Sequence, residues 1–422
     1  MRSLFKVYGL VLLAAIGIAD GLEPGSRVMA NGRSWNDDVK PSILVNPGTH
    51  GNGTAETIQE AIDSVPSGGK VLVLPGTYAE TLTITKGLTL EAIGGASGDV
   101  IVSPPGTPDS VVEVATSEPV TLRGVTVHVP GLNGIRAVGE VDITVEGAAV
   151  LALNPLAAAS SNLIVVSNDL LDGSRARMVV RDSFLDGGMT TTPVGQSFAL
   201  RPQGNVDALL ERNVIRRAGG ACIFVVTRAD LGGETNVDIL DNDLDECHPV
   251  GRVSAILVGP LAANQPSATR PLTATGTVNI VGNTIRNSSN FCLRSAIAYE
   301  VYSGRIEHNV ITDYVKPCAA ATSARNRASA IWIGRLSSFP FPAVTPTVRF
   351  NDLEGNAEAG LRIAPNQTIP IDGSCNFWGS ELGPSGAGSG DGSAVIVDSG
   401  GALPFFVPFA AAPIAGTGAS EC

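Results

Sequence analysis

Charged residues are scarce in this chain. Asp, Glu, Lys and Arg make up 16% of its 422 residues and aromatics only 5%, which fits stacked strands with small turns better than long solvated helices. Basic residues fall short of acidic ones, 28 against 40, and the resulting charge of −12 argues against a nucleic-acid backbone as partner. His and Met number four each and are scattered, which excludes a clustered copper site, and no C-x-x-C pair exists to hold zinc. No segment beyond the N-terminus has 18 consecutive apolar residues, so no stable membrane insertion is expected.

The short apolar run that is present lies at the start. Arg2 and Lys6 precede Val7 to Ile18, with Gly17 and Ala19 supplying small side chains, and residues 1–19 therefore read as a signal peptide. No Cys follows to accept a lipid. Export makes disulfides the default for Cys222, Cys247, Cys292, Cys318, Cys375 and Cys422. Six thiols allow about 15 pairings; coil proximity favours Cys222–Cys247, Cys292–Cys318 and Cys375–Cys422. The expected location is periplasmic or secreted, as a monomer.

What dominates the chain is a strand-and-turn unit that returns about ten times, as in Val278-Asn279-Ile280-Val281-Gly282-Asn283-Thr284-Ile285. A unit this short cannot bury its apolar face alone and must stack on its neighbours, which makes a solenoid. Aligned copies have reference positions at Ile93, Val125, Glu146, Ser183, Asn213, Asn242, Asn283, Asn309, Asn351 and Asn376. Apolar residues recur three before (Leu210, Ile239, Ile280) and two after (Ile215, Leu244, Ile285). The repeated Asn reads as a hydrogen-bonded ladder, the residue itself taking the left-handed turn. A second strand family lies between these units: Gly134-Ile135, Ser197-Phe198, Cys222-Ile223, Ala255-Ile256, Ala296-Ile297, Ala330-Ile331 and Gly360-Leu361. Thr57-Ile58-Gln59-Glu60 opens a capping helix whose face is Ile58, Ala61, Ile62 and Val65, a lid for the first open edge. The expected division is signal peptide 1–19, linker or arm 20–50, solenoid with caps 51–410 and tail 411–422. Residues 403–413 should fold back as an apolar cap.

The stretch Thr57–Thr85, the repeated N-x-[IL] turns and the tail Cys375-Asn376-Phe377-Trp378-Gly379 followed by Gly383-Pro384 resemble the pectin-lyase-like superfamily of right-handed parallel β-helix proteins, over about residues 45–410. The resemblance implies an all-β solenoid of about ten coils. It implies no single activity, because this fold hosts lyases, hydrolases, esterases, adhesins and non-catalytic proteins. The motif sets that mark polygalacturonases, pectin methylesterases and pectate lyases are absent, so no catalytic residue is carried over from them.

Two candidate sites remain. Asp241, Asp243, Asp245 and Glu246 cluster beside Arg216 and Arg217, one coil earlier. Such carboxylates could hold calcium and acidify the proton beside a uronate carboxylate, which a desolvated Arg216 or Arg217 would remove. The plainer alternative is an alternating ion-pair ladder through Arg216, Asp245, Arg286, Thr312 and Glu354. The second candidate is an outward column of Arg136, Ala199, Phe224, Leu257, Ala298, Trp332 and Arg362, with Glu300 nearby. Phe224, Leu257, Trp332 and Arg362 would then form a platform on which sugar rings stack. Its alternative is burial under the long loops 151–177, 186–204, 247–275 and 314–345, where insertions collect. The expected function is binding of extended polysaccharide or a cell-surface glycan, with a lyase or epimerase acting on a uronate polymer as its catalytic form. The alternative function is a non-catalytic adhesin-like or envelope scaffold.

Overall fold

A computed structural model describes residues 40–48, 53–94, 98–153, 161–170, 172–188, 198–227, 233–247, 254–260, 275–288, 294–315, 328–334, 344–356, 358–413 and 422. The signal-peptide segment, Cys292, Cys318 and parts of all four long loops lie outside them. Strands follow one another in a fixed cycle through three parallel sheets, of 12, 9 and 12 strands among the described residues. Each strand pairs with its counterpart one coil away, so the chain is a right-handed parallel β-helix.

The core follows from register. In the first sheet Leu210, Ile239, Ile280, Ile306 and Val348 stack in line. The second sheet stacks Ile215, Leu244, Ile285 and Ile311, and the third stacks Ile223, Ile256, Ile297, Ile331 and Leu361. All point inward and are fully buried, and each such aliphatic side chain contributes about 1.5–3 kcal/mol. Because strand side chains alternate, the neighbours of these residues stand outward, and the same register that builds the core builds three outer faces.

Between the first and second sheets the turn is short and carries the ladder. Asn213, Asn242, Asn283, Asn309, Asn351 and Asn376 are buried, the amide of each of the first five donating to the next Oδ1 at 2.9–3.0 Å. Ser183 heads the column, its backbone N–H donating to Asn213 Oδ1 at 3.1 Å. The left-handed residue is the one before each rung: Asp182, Arg212, Asp241, His308, Phe350 and Cys375 have φ between 51° and 61°, and Gly282 has 73°. The Asn residues are therefore chosen for their side-chain amides, and the positive φ falls on whichever residue precedes. The ladder position in the coil of Glu146 belongs to Ala148, which follows the left-handed Gly147 and whose N–H donates to Ser183 Oγ.

Residues Ser42–Val45, expected within an arm, form a strand in parallel register with Lys70–Val73. The helix Ile58–Ser64 begins as the sequence indicates: Thr57 Oγ1 accepts from the Glu60 N–H, and Ile58, Ala61 and Ile62 are buried. The Glu80 carboxylate accepts from the backbone N–H groups of Ile58 and Gln59, both at 2.9 Å, tying the lid to the first coil. At the other end the chain folds back through bridges Asp372↔Phe405 and Phe377↔Ala410, with Phe406 and Phe409 against the core but Phe405 and Val407 exposed. Disulfides join Cys222 to Cys247 and Cys375 to Cys422.

Candidate functional site

The acidic cluster is a ladder of ion pairs. In the second sheet Arg216, Asp245, Arg286 and Thr312 align across adjacent strands, as the spacing indicates. Arg216 pairs with Asp243. Arg286 reaches Asp243 at 3.0 Å and Asp245 at 3.1 Å, and Ser288 donates to Asp245. Arg217 pairs with Asp186, one coil back. For Asp243, burial pushes the carboxyl pKa up, but hydrogen bonds and charge from Arg216 and Arg286 outweigh it and hold the group below its ordinary range. Hydrogen bonding to Asp186 raises the Arg217 pKa, which opposes the proton-abstracting role considered for it.

Calcium does not fit this arrangement. Asp243 and Asp245 are committed to guanidinium partners, and Asp241 packs over Gly282 on the turn before the strand, while Glu246 lies on the turn after it. Among the described residues no group of three or more His, Cys, Asp or Glu is placed to hold a metal ion.

The second candidate needs a correction. Phe224, Leu257, Ala298, Trp332 and Arg362 do share one outward column of the third sheet. They are not exposed: Phe224 is 3%, Leu257 6%, Trp332 1% and Arg362 4% accessible. With Phe198, Ala221, Val226 and Ala364 they form a packed apolar seam outside the sheet. Arg362 is held by Asp398, at 2.6 Å, and by Glu358. A ring with 1% exposure offers no face to a sugar, so the platform is a second small core.

Register also moves one member of the column. The strand in that coil places Leu200 against Ile223, and Val165 lies opposite Arg201. Arg201 therefore stands outward where Ala199 was expected, and Ala199 is buried. The signal was present in the sequence, since Ala199-Leu200 repeats the small-then-aliphatic pair of Ala255-Ile256 and Ala330-Ile331 better than Ser197-Phe198 does.

Toward the N-terminus the same column is open over three coils, where Thr83, Glu113 and Arg136 stand in register; beyond them Val165 is buried and Arg201 half-buried. A cleft of about 550 Å³ lies on its first three coils, lined by Thr81, Thr83, Asp109, Ser110, Asn133 and Arg136 with Leu132 as an exposed apolar edge. Arg136 pairs with Glu113, and the Asn133 amide donates to the Asp109 backbone carbonyl at 2.9 Å. The hydroxyls of Thr81, Thr83 and Ser110 and the Asp109 carboxylate make no side-chain hydrogen bond among the described residues, so they are available to a ligand. A second groove, about 360 Å³ on the first sheet, is lined by polar groups that largely satisfy one another: Arg177 with Asp142, Asn236 with Asp207, Asn279 with Asp238.

The chain matches no family model and no curated protein sequence. It is similar in structure to a polygalacturonase from Erwinia carotovora ssp. carotovora, at 11% identity and a TM-score of 0.43, covering 90% of this chain and 98% of that one. A pectin methylesterase in complex with a hexasaccharide gives 12% identity and 0.41, over 71% of this chain and 93% of that one. The catalytic unit of a GH87 alpha-1,3-glucanase from Streptomyces thermodiastaticus gives 17% and 0.40, over 87% and 69%. Likeness at this level assigns no activity to the chain.

Proposed function

We propose that this protein binds an extended polysaccharide along the open, N-terminal stretch of the outer face of its third sheet. The observation that supports this is the cleft bounded by Thr81, Thr83, Asp109, Ser110 and Asn133, where hydroxyl and carboxylate groups of two adjacent coils stand free beside one another. A saccharide chain presents hydroxyl groups at a regular repeat, and a face whose own polar groups repeat with the coils can meet several of them at once. We assign no bond-breaking step to it. Its two described disulfides support work in an oxidising compartment outside the cytoplasm.

The test is isothermal titration of the mature protein against a panel of soluble plant, bacterial and fungal polysaccharides. Asp109→Ala should weaken binding about fivefold, the loss of one hydrogen bond of about 1 kcal/mol, at an unchanged melting temperature. A protein that binds no member of the panel, or binds it equally after Asp109→Ala, would leave the scaffold reading in its place.

A further inference from the structure

The two described disulfides stand in different surroundings. Cys222 and Cys247 are both buried, at 0% and 1% exposure, so a reagent reaches neither. Cys375 is buried as deeply, at 2%, but its partner Cys422 is exposed. That bond is approached from one side only.

The buried sulfur has a cation beside it. Arg349 Nη2 donates to Cys375 Sγ at 3.6 Å. Its neighbours aim the guanidinium there: Nε lies 3.7 Å from Asp372 Oδ2, and the group sits over the Phe350 ring at 4.9 Å, with the His308 ring stacked against Phe350 at 5.2 Å. The Cys375 main chain is fixed independently of the disulfide. Its N–H donates to the Pro408 carbonyl at 2.7 Å, and the next residue, Asn376, ends the amide ladder. Opening the bond therefore leaves the Cys375 sulfur beside Arg349.

The rate of thiol–disulfide exchange depends on which sulfur is reached and on how stable the departing thiolate is. A neighbouring guanidinium favours a thiolate over a thiol. Both conditions agree here, since Cys422 is the sulfur open to attack and Cys375 is the one that leaves well.

We propose that the Cys375–Cys422 disulfide is a site of S-thiolation, at which a low-molecular-weight thiol becomes attached to Cys422. The reagent thiolate attacks Cys422 Sγ and forms a new S–S bond there. The Cys375–Cys422 bond breaks, and its electron pair leaves on Cys375 Sγ as a thiolate held by Arg349. No oxidant or reductant is consumed, because one disulfide and one thiolate become another of each. Arg349 is a positioning residue that acts through the leaving sulfur. The reaction needs no polysaccharide and is independent of the binding described above.

The test incubates the folded protein with reduced glutathione at about pH 8, where a useful fraction of an ordinary thiol is ionised, and quenches with iodoacetamide. Cleavage before aspartate then puts Cys375 and Cys422 on separate peptides, because Asp391 and Asp398 lie between them. Mass spectrometry should find glutathione on Cys422 and the alkyl group on Cys375, formed about tenfold or more faster than any adduct at Cys222 or Cys247. Arg349→Gln should slow the exchange about three- to tenfold, and Arg349→Lys, which restores the charge, should recover most of that rate. If Arg349 merely held the chain end in place, Arg349→Gln would speed the exchange instead. Glutathione on Cys375, a rate no greater than at Cys222–Cys247, an unchanged or faster reaction in Arg349→Gln, or no recovery in Arg349→Lys overturns the proposal. The adduct position and the rate ratio are read on wild-type protein, and they decide the matter alone if the Gln variant does not fold.

Discussion

Asn283 shows how much a single side chain does in this fold. Its Oδ1 accepts from both the backbone N–H and the side-chain amide of Asn242, each at 2.9 Å, and its own amide donates to Asn309 at 3.0 Å and to the Ile239 carbonyl at 2.9 Å. Asn283→Ala leaves two buried donors unmatched, at about 1–3 kcal/mol each. The variant should lose about 2–5 kcal/mol in urea unfolding, whereas Asn279→Ala on the exposed face should stay within about 0.5 kcal/mol. Trp332→Ala should cost about 3–5 kcal/mol for the same reason that the platform reading failed: the ring is core. A loss under about 1 kcal/mol would restore an open platform. The ladder was legible because one residue type recurs. Its left-handed turn was not, since Asp, Arg, Gly, His, Phe and Cys all carry it and no composition signal marks the position.

At the scale of strands and turns, the ion-pair ladder has a pH signature. Hydrogen bonding to Arg212 holds the Asp182 carboxyl below its ordinary range, and the arginines around Asp243 do the same there against burial. A carboxyl with a folded pKa below its unfolded value of about 3.9 contributes stability above that value and loses it as pH falls through the folded one. Melting temperature should therefore drop as pH falls below about 4. Asp243→Asn should shallow that drop and cost no more than about 1 kcal/mol at neutral pH, as partly exposed pairs do. The disulfide between Cys222 and Cys247 closes a loop of 25 residues, and replacing both by Ser should cost about 3 kcal/mol. Retained stability in that double variant would place the gain in strand pairing alone. The strand registers were legible where the repeat is unbroken. They slipped by two residues at Glu146, where Ala148 replaces the Asn of the ladder, and at Phe198, where a long insertion precedes the strand and Ala199-Leu200 resumes the pattern.

For the whole molecule, fold and function separate. Apolar periodicity recurs in every coil, so the solenoid could be read from the sequence, but burial of an outward column depends on which side chains from elsewhere pack against it, here Phe198, Ala221, Val226 and Ala364, which periodicity does not encode. That is why Arg136 remained on an open face while Trp332, six coils further along the same column, became core. A solenoid has its own liability, the unpaired strand edge at each end, and here the first edge is covered by strand Ser42–Val45 and by the helix Ile58–Ser64. Removal of all residues before Val65 would strip both, leaving Lys70–Val73 with free N–H and C=O groups and Val71 and Val73 uncovered. The shortened protein should self-associate in proportion to its concentration, as light scattering would show. Glu80→Gln, which weakens only the contact to the helix N–H groups, should stay monodisperse and lose about 0.3–1 kcal/mol. A truncated chain that remained monodisperse with an unchanged melting temperature would mean the coils protect their own edge, and the lid would have to be explained otherwise.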